Sequence, residues 1–155
     1  PVYREQVYAP AGANGSAGGI VSTAYSLLGS PYVGGGNSPA GFDCSGFVQY
    51  VYGLNCKYIS RSTSTQVYDG VGVNRNDAQP GDIILWGYPG GYVTHSSLYV
   101  GNDMMIHAAN PSTGVILSSV SGWPPVGCLV SVVERTLYIS MRSELNPVEL
   151  SIKLE

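Results

Sequence analysis

The sequence feature that most constrains this fold is a cysteine at the junction between a loop and a helix. The loop, residues 34–41, is rich in Gly, Pro, Asn and Ser, whereas the stretch after Cys44 carries apolar side chains at helical spacing. This spacing predicts a short helix with one buried face. Asp43 is a favourable N-cap residue, so Cys44 would lie in the first helical turn. The unpaired N–H groups and the helix dipole there favour a thiolate, the nucleophilic form of cysteine.

Composition places this cysteine in one ordinary folded domain and excludes several functional classes. Of the 155 residues, 44% are hydrophobic and only 11% are charged, which is enough for a core. The formal net charge of -3 lacks the basic footprint of a nucleic-acid-binding protein. No apolar run approaches the roughly 18 residues of a membrane span. The chain has no initiator Met and no signal-like segment, so we expect a piece of a longer multidomain protein.

The chain has three cysteines, which is an odd number. A disulfide between Cys56 and Cys128 would leave Cys44 as a free and reactive thiol. Alternatively, Cys56 and Cys128 are small apolar residues without a partner, because their spacing matches no disulfide framework. Both alternatives leave Cys44 unpaired.

Helices are predicted first along the chain and strands afterwards. Apolar spacing and turn residues predict helices at 20–28, from Cys44 onward and at 60–68, and strands at 83–86, 93–101, 104–109, 115–118 and 129–135. This segregation is typical of an α+β fold with an antiparallel sheet. We expect a linker or lead-in at residues 1–19, one domain at 20–137, and a C-terminal extension at 138–155 that is in part tag-derived.

His95 and His107 are the only histidines, and they flank a predicted hairpin turn at Asn102 and Asp103. In an antiparallel hairpin the two imidazoles can face each other on neighbouring strands. One could take a proton from Cys44 while the other orients it. A zinc site is the alternative for two His and one Cys, but the short ligand spacings of such sites are absent. Separately, each residue could be an inert buried group; together they favour a cysteine hydrolase.

These residues belong to a longer pattern that resembles the NlpC-type cell-wall peptidases, papain-like cysteine endopeptidases of bacterial peptidoglycan. The most specific block is Asp-Cys-Ser-Gly-Phe, and a Gln-Pro-Gly-Asp turn and both histidines follow in the family order. The resemblance covers about residues 20–135. The matching blocks are residues 28–33, 35–36, 42–48, 61–63, 66, 79–82, 95, 99–101 and 106–108.

The resemblance implies a papain-like core in which N-terminal helices, one of them starting at the cysteine, pack on an antiparallel sheet of about five to six strands. It also implies roles for individual side chains. Cys44 would be the nucleophile, His95 the general base and acid, and His107 the orienting third member. Tyr32 would lie beside the nucleophile and help to stabilise the oxyanion. The remaining implied roles are stem-peptide binding for Asp43 and Ser45, and a structural or substrate-lining one for Arg61.

The activity that the resemblance implies is cleavage of the bond between D-γ-glutamate and the diamino acid of peptidoglycan stem peptides. The reaction would pass through a thioester, without a metal or other cofactor, in a secreted, monomeric, wall-associated protein. Two alternatives stay open. One is a wall amidase or acyltransferase on the same fold, and the other is a catalytically silent wall-binding module.

The chain departs from the family pattern at two places. Gly34 stands where the family usually has an aromatic residue, often Trp, which would open the wall of the groove. After His95, the usual small apolar residues are replaced by Ser96-Ser97-Leu98, which adds hydroxyl groups beside the base. Both departures are expected to alter specificity and to leave the catalytic groups in place.

Overall fold

The computed structural model describes residues 17–87, 92–123 and 126–132. Its helices are α1 (Ala17–Ser26), α2 (Cys44–Leu54) and α3 (Thr63–Gln66), with a 3-10 turn at Arg75–Asp77. Its strands are β1 (Asn37–Ser38), β2 (Gly41–Phe42), β3 (Val71–Val73), β4 (Ile83–Gly87), β5 (Val93–Gly101), β6 (Met104–Asn110), β7 (Gly114–Ser119) and β8 (Val126–Ser131).

Six strands form one antiparallel sheet in the order β3-β8-β4-β5-β6-β7, and β1 and β2 form a separate ladder immediately before α2. The sheet follows the helices in sequence, so the predicted α+β fold with five to six antiparallel strands is confirmed. Strands β5 and β6 are neighbours in this sheet and are joined by a tight turn. Asn102 and Asp103 both have positive φ there (53° and 60°), the backbone conformation that two-residue hairpin turns require.

The two faces of the sheet bury different clusters, as the alternation along β5 predicts. Leu98 and Val100 of β5 pack with apolar residues of α1 and α2 in the main core. Tyr99 packs on the opposite face, against a smaller cluster that contains Ile84, Trp86, Met105, Val120 and Leu129. Helix α2 therefore lies on the sheet next to the strands that carry the histidines, which fixes the position of its first residue, Cys44.

Several boundaries differ from the sequence prediction. The helix predicted at 60–68 is reduced to α3, because the backbone and hydroxyl of Ser60 bond to the carboxylate of Asp69 and hold the chain in a loop. Helix α1 begins three residues earlier than predicted, and strands β1, β2 and β3 were not predicted. Residues 1–16 of the lead-in, residues 133–135 of the last predicted strand, and the C-terminal extension lie outside the described residues. In the described part of the chain, no helix has the length and hydropathy needed to cross a bilayer.

Candidate active site

Cys44 is the first residue of α2, and its thiol is half-buried against β5. Burial raises the pKa of this thiol, and the charge of Asp43 adds to the effect. The backbone N–H groups of Ser96 and Ser45 lower the pKa but do not outweigh burial. The helix N-terminus lowers the pKa of Cys44 as predicted, but burial outweighs it, so Cys44 is a neutral thiol in the resting site. The contact with the N–H of Ser96 places the sulfur next to the backbone of His95.

Asp43 is the N-cap of α2, as predicted, and its carboxylate accepts four hydrogen bonds of 3.0 Å or less, besides a longer one of 3.4 Å from Ser45 Oγ. Oδ1 accepts the N–H of Gly46 at 2.7 Å, and Oδ2 accepts the N–H of Gly35 at 3.0 Å. Arg61 adds a two-point ion pair, with Nη1 and Nη2 each 2.9 Å from one oxygen. Burial alone would raise the pKa of Asp43, but the bonds from Arg61, Gly46 and Gly35 hold it below its ordinary value. The carboxylate is ionised and fully engaged.

Ser45 and Arg61 complete this cluster at the helix start. Arg61 Nη1 also donates to Ser45 Oγ at 3.0 Å, and Nη2 donates to the carbonyl of Gly36 at 3.3 Å. Gly46 packs so closely that a Cβ there would lie 2.0 Å from the oxygen of Gly36. Because Gly46 has no side chain, the loop 34–41 can pack directly against the N-terminus of α2. Arg61 thus holds the loop and the helix start together, which is the structural one of the two roles that the resemblance implied. Its side chain remains 36% exposed.

The histidines of β5 and β6 form a hydrogen-bonded pair. His95 Nε2 lies 2.7 Å from His107 Nδ1, and the ring planes are 77° apart. The register pairs Leu98 with Ile106, so Ser97 lies directly opposite His107. His95, two residues before Ser97, is therefore the diagonal neighbour of His107. The predicted placement on neighbouring strands is confirmed, with a diagonal rather than a direct pairing.

Both imidazoles are uncharged at neutral pH because they are buried. Burial lowers the pKa of His95 to about 4. Burial, together with the neighbouring His95, lowers the pKa of His107 to about 3. His107 Nε2 lies 2.9 Å from Ser118 Oγ on β7. Among the described residues nothing hydrogen-bonds His95 Nδ1, so this atom is left to exchange a proton with another group.

Tyr32 lies beside the cysteine, where the sequence placed it. Its backbone pairs with Phe42 in an isolated parallel bridge just before α2. Burial raises the pKa of the Tyr32 hydroxyl, and the proximity of Cys44 and Asp43 raises it further. The hydroxyl is therefore a neutral hydrogen-bond donor near the sulfur.

Gln66 fastens the cysteine helix to the histidine strand, a role that the sequence pattern did not indicate. Its fully buried amide donates to the carbonyls of Ser45 and Ser60 at 3.1 and 3.0 Å, and accepts from Ser96 Oγ at 2.9 Å. Ser96 follows His95 directly, so the amide ties the residues beside the nucleophile and the base to one group. The additional hydroxyl of Ser96 thus links β5 to Gln66 by a hydrogen bond.

Two tryptophans also border the histidines and were missed by the sequence reasoning. Trp123 stacks on His95 with ring centroids 5.3 Å apart, and meets the His107 ring edge-on at 4.7 Å. Trp86 contacts Trp123 at 5.7 Å and donates its indole N–H to Ser97 Oγ at 2.9 Å. The second additional hydroxyl, that of Ser97, therefore holds this aromatic group in place.

The remaining predictions concern metals, disulfides and the groove wall. Within residues 17–87, 92–123 and 126–132, no group of three His, Cys, Asp or Glu side chains could hold a metal ion. Cys56 is a free and exposed thiol, and the side chain of Cys128 lies outside the part of the chain that the structure describes. A Cβ on Gly34 would have no atom within 4 Å, so a side chain at this position would extend into free space.

Comparison with known proteins agrees with this arrangement. The chain is 38% identical over 106 residues to the probable endopeptidase p60 of Listeria seeligeri, covering 67% of this chain and 20% of that protein. It is 39% identical over 102 residues to the gamma-D-glutamyl-L-lysine dipeptidyl-peptidase of Bacillus subtilis, covering 64% and 34%. It thus spans a fifth to a third of these relatives' length.

A solved structure and a family model extend the comparison. The crystal structure of the NlpC/p60 domain of the peptidoglycan hydrolase SagA superposes with a TM-score of 0.69 at 38% identity, covering 75% of this chain and 98% of that domain. Residues 29–132 match the family model described as the NlpC/P60 family, and this match includes Tyr32, Cys44, His95 and His107. The chain belongs to the NlpC/P60 family.

Proposed function

We propose that this protein is a peptidoglycan hydrolase, a cysteine endopeptidase that cleaves the bond between D-γ-glutamate and the diamino acid of the stem peptide. The observation that carries the proposal is the relation between Cys44 and the histidine pair. The thiol lies at a helix N-terminus against the backbone beside His95, while His95 uses only Nε2 to bind His107. A nucleophile, a base with an available nitrogen, and an orienting group are thus supplied by α2, β5 and β6.

Acylation begins from an uncharged pair. When the γ-carbonyl carbon of the D-glutamyl residue reaches the sulfur, the Cys44 thiol proton moves to His95 Nδ1 and the S–C bond forms. The oxyanion accepts hydrogen bonds from the Cys44 backbone N–H at the helix start and from the Tyr32 hydroxyl. The imidazolium then gives its proton to the amine of the diamino acid as the C–N bond breaks. A thioester between Cys44 and the glutamyl group remains.

Deacylation uses the same groups in reverse. His95, neutral again, takes a proton from a water molecule that attacks the thioester carbonyl. The C–S bond breaks, the carboxylic acid leaves, and the proton returns to the sulfur. In the productive tautomer His95 donates Nε2–H to Nδ1 of His107, and His107 donates its Nε2–H to Ser118 Oγ. This tautomer leaves the lone pair of His95 Nδ1 available in both half-reactions.

The cluster at the helix N-terminus is a suitable contact for the substrate on the acyl side of the cleaved bond. Arg61 and Asp43 are half-buried, so each has an edge toward solvent. Because Arg61 already neutralises Asp43, a polar group of the stem peptide would join a balanced ion pair rather than a bare carboxylate. Ser45, buried between them, would act mainly by fixing Arg61. These contacts support binding of a short peptide that carries both amide and charged groups.

The relatives support the reaction and the setting that we propose. The Bacillus subtilis relative is named for the γ-D-glutamyl-L-lysine bond, and the Listeria seeligeri relative for endopeptidase activity. Both are several-fold longer than the matched region, in line with a domain that works within a larger protein. We propose accordingly that the domain acts as a monomeric unit in a secreted, wall-associated protein.

Mass spectrometry of digested muropeptides tests the proposed function. Wild-type protein and Cys44→Ala are incubated with purified disaccharide peptides that contain either lysine or diaminopimelate. We expect the wild type to release peptides that begin with the diamino acid, and Cys44→Ala to release none. Release of intact stem peptide with a free L-alanine amine would instead indicate a wall amidase. Binding to cell walls without any cleavage would indicate a silent binding module, and either result would overturn the bond assignment.

A further inference from the structure

The indole ring of Trp123 packs against both rings of the histidine pair. Its ring is nearly parallel to that of His95, at 21°, and nearly perpendicular to that of His107, at 77°. One indole therefore contacts both members of the 2.7 Å imidazole hydrogen bond. These contacts combine the stacked and edge-on geometries that aromatic rings prefer.

The loop that carries Trp123 is fastened from two directions. The carboxylate of Asp103, in the β5–β6 turn, accepts bonds from Ser119 Oγ and from the N–H and hydroxyl of Ser121. On the inner side, the Trp86 ring contacts Trp123, and Trp86 is itself held by its bond to Ser97 Oγ. Trp123 is thus part of the smaller core cluster as well as a neighbour of the histidines. Its ring is positioned by groups that have no part in the proposed chemistry.

We propose that Trp123 is a positioning residue for the base: it fixes the ring plane of His95 and keeps water from the hydrogen bond between His95 and His107. The inference rests on His95 acting as the base in the proposed function. With the ring plane fixed, Nδ1 keeps one direction throughout the two half-reactions. Misplacement of a catalytic group by about 1 Å costs on the order of 100-fold in rate, so a fixed plane has a large effect.

The indole could influence the charge of His95 in two opposite ways. Contact with an aromatic face favours an imidazolium, whereas exclusion of water disfavours it. The pKa of His95 is lowered, to about 4, with burial as its cause, so exclusion of water is the stronger effect. Among the described residues, His107 of β6 is the titratable group hydrogen-bonded to His95, while Cys44 of α2 contacts the backbone N–H of the next residue, Ser96, and is coupled to Asp43 and Tyr32. The indole itself carries no charge.

NMR titration of the imidazole ring signals tests this inference without any substrate. The chain has only two histidines, so His107→Gln assigns both sets of signals. Trp123→Ala is compared with Trp123→Phe and with Tyr68→Ala, a control at an exposed aromatic residue. We expect the His95 midpoint to rise by about one pH unit or more in Trp123→Ala, because burial shifts of buried histidines are of this size or larger. Trp123→Phe should give a smaller rise, and Tyr68→Ala none.

Kinetics with a γ-D-glutamyl peptide provide a second measurement. We expect kcat of Trp123→Ala to fall about tenfold or more with little change in KM, and Trp123→Phe to recover part of the loss. A purely structural role would lower the melting temperature and leave the His95 midpoint unchanged, and that result would overturn the inference. The midpoint does not depend on which bond is cut, so it separates this inference from the proposed function.

A fluorescence experiment keeps the test decisive if Trp123→Ala does not fold. Trp86→Phe leaves Trp123 as the only tryptophan. An imidazolium in stacking contact quenches indole emission, so we expect emission to fall on acidification with the midpoint that NMR gives for His95. Emission that shows no transition at that midpoint would contradict the stacking contact.

Discussion

Arg61 closes on Asp43 with two hydrogen bonds of 2.9 Å, so a single guanidinium balances the carboxylate that caps the helix of Cys44. The same carboxylate accepts the N–H of Gly46 in the first turn. Its charge also raises the pKa of the Cys44 thiol and therefore opposes the helix dipole. One residue thus determines the start of the helix, the position of Arg61 and part of the electrostatics of the sulfur.

Two substitutions at Asp43 separate its capping role from its contact with Arg61. Serine can still accept the Gly46 N–H, whereas alanine cannot. We expect Asp43→Ala to unfold at a lower urea concentration than Asp43→Ser, by about 1 kcal/mol in free energy of unfolding, the usual value of an N-cap. Both variants lose the ion pair, so an effect on KM that they share would report the substrate contact. Equal stabilities would contradict the capping role.

Substitution of His107 tests the orientation of the base. In His107→Gln the amide oxygen can still accept Nε2–H of His95, whereas His107→Ala removes the acceptor. We expect His107→Ala to lower kcat by about 100-fold or more, which is the usual contribution of an oriented general base. His107→Gln should retain much more activity. The measurement is steady-state cleavage of a γ-D-glutamyl peptide, with circular dichroism as the control for folding. Equal losses in the two variants would contradict an orienting role.

The charge state of the resting site is measured by alkylation of Cys44. Burial lowers the pKa of His95 to about 4 and raises that of Cys44, so His95 is already neutral, and Cys44 still protonated, at neutral pH. We expect the rate of reaction with iodoacetamide to rise steadily with pH above neutrality, as it does for a neutral thiol. Cys56 is exposed, so the reaction is followed on the Cys44 peptide by mass spectrometry. A fast plateau at mildly acidic pH would instead reveal a thiolate–imidazolium pair.

Gly34→Trp tests whether the open groove wall affects substrate binding. A side chain at this position meets no atom within 4 Å, and the backbone does not have a positive φ. We therefore expect stability to change by less than about 0.5 kcal/mol, as for other unstrained surface positions. The added ring should lower KM for stem peptides without changing kcat. Gly34→Ala is the matched control, and a KM equal in both variants would show that the wall does not contact substrate.

Local sequence patterns were sufficient for the elements that carry the site. The apolar stripe after Cys44 predicted α2, and the short apolar run at 83–86 predicted β4. The turn at residues 102–103 placed the two histidines on neighbouring strands. Each of these predictions depends on residues that are close together in sequence, so a single sequence was sufficient to make them.

Features that depend on distant contacts were missed or predicted incorrectly. The neutral state of Cys44 results from burial against β5, which the helix dipole argument does not include. Trp123 lies in a loop without periodicity, and its contact with His95 joins two residues that are 28 positions apart in sequence. Gln66 joins α2 to β5 across a similar distance. Local sequence patterns thus do not predict burial by the tertiary structure or hydrogen bonds between distant residues.

The central claim is that Cys44 attacks the γ-glutamyl carbonyl and forms a thioester, and intact-protein mass spectrometry tests it most directly. Wild-type protein is mixed with a muropeptide, quenched in acid during turnover, and compared with Cys44→Ala. We predict that the wild type gains the mass of the acyl fragment on the Cys44 peptide, and that Cys44→Ala shows neither the adduct nor cleavage. Cleavage by Cys44→Ala at the wild-type rate would contradict the account.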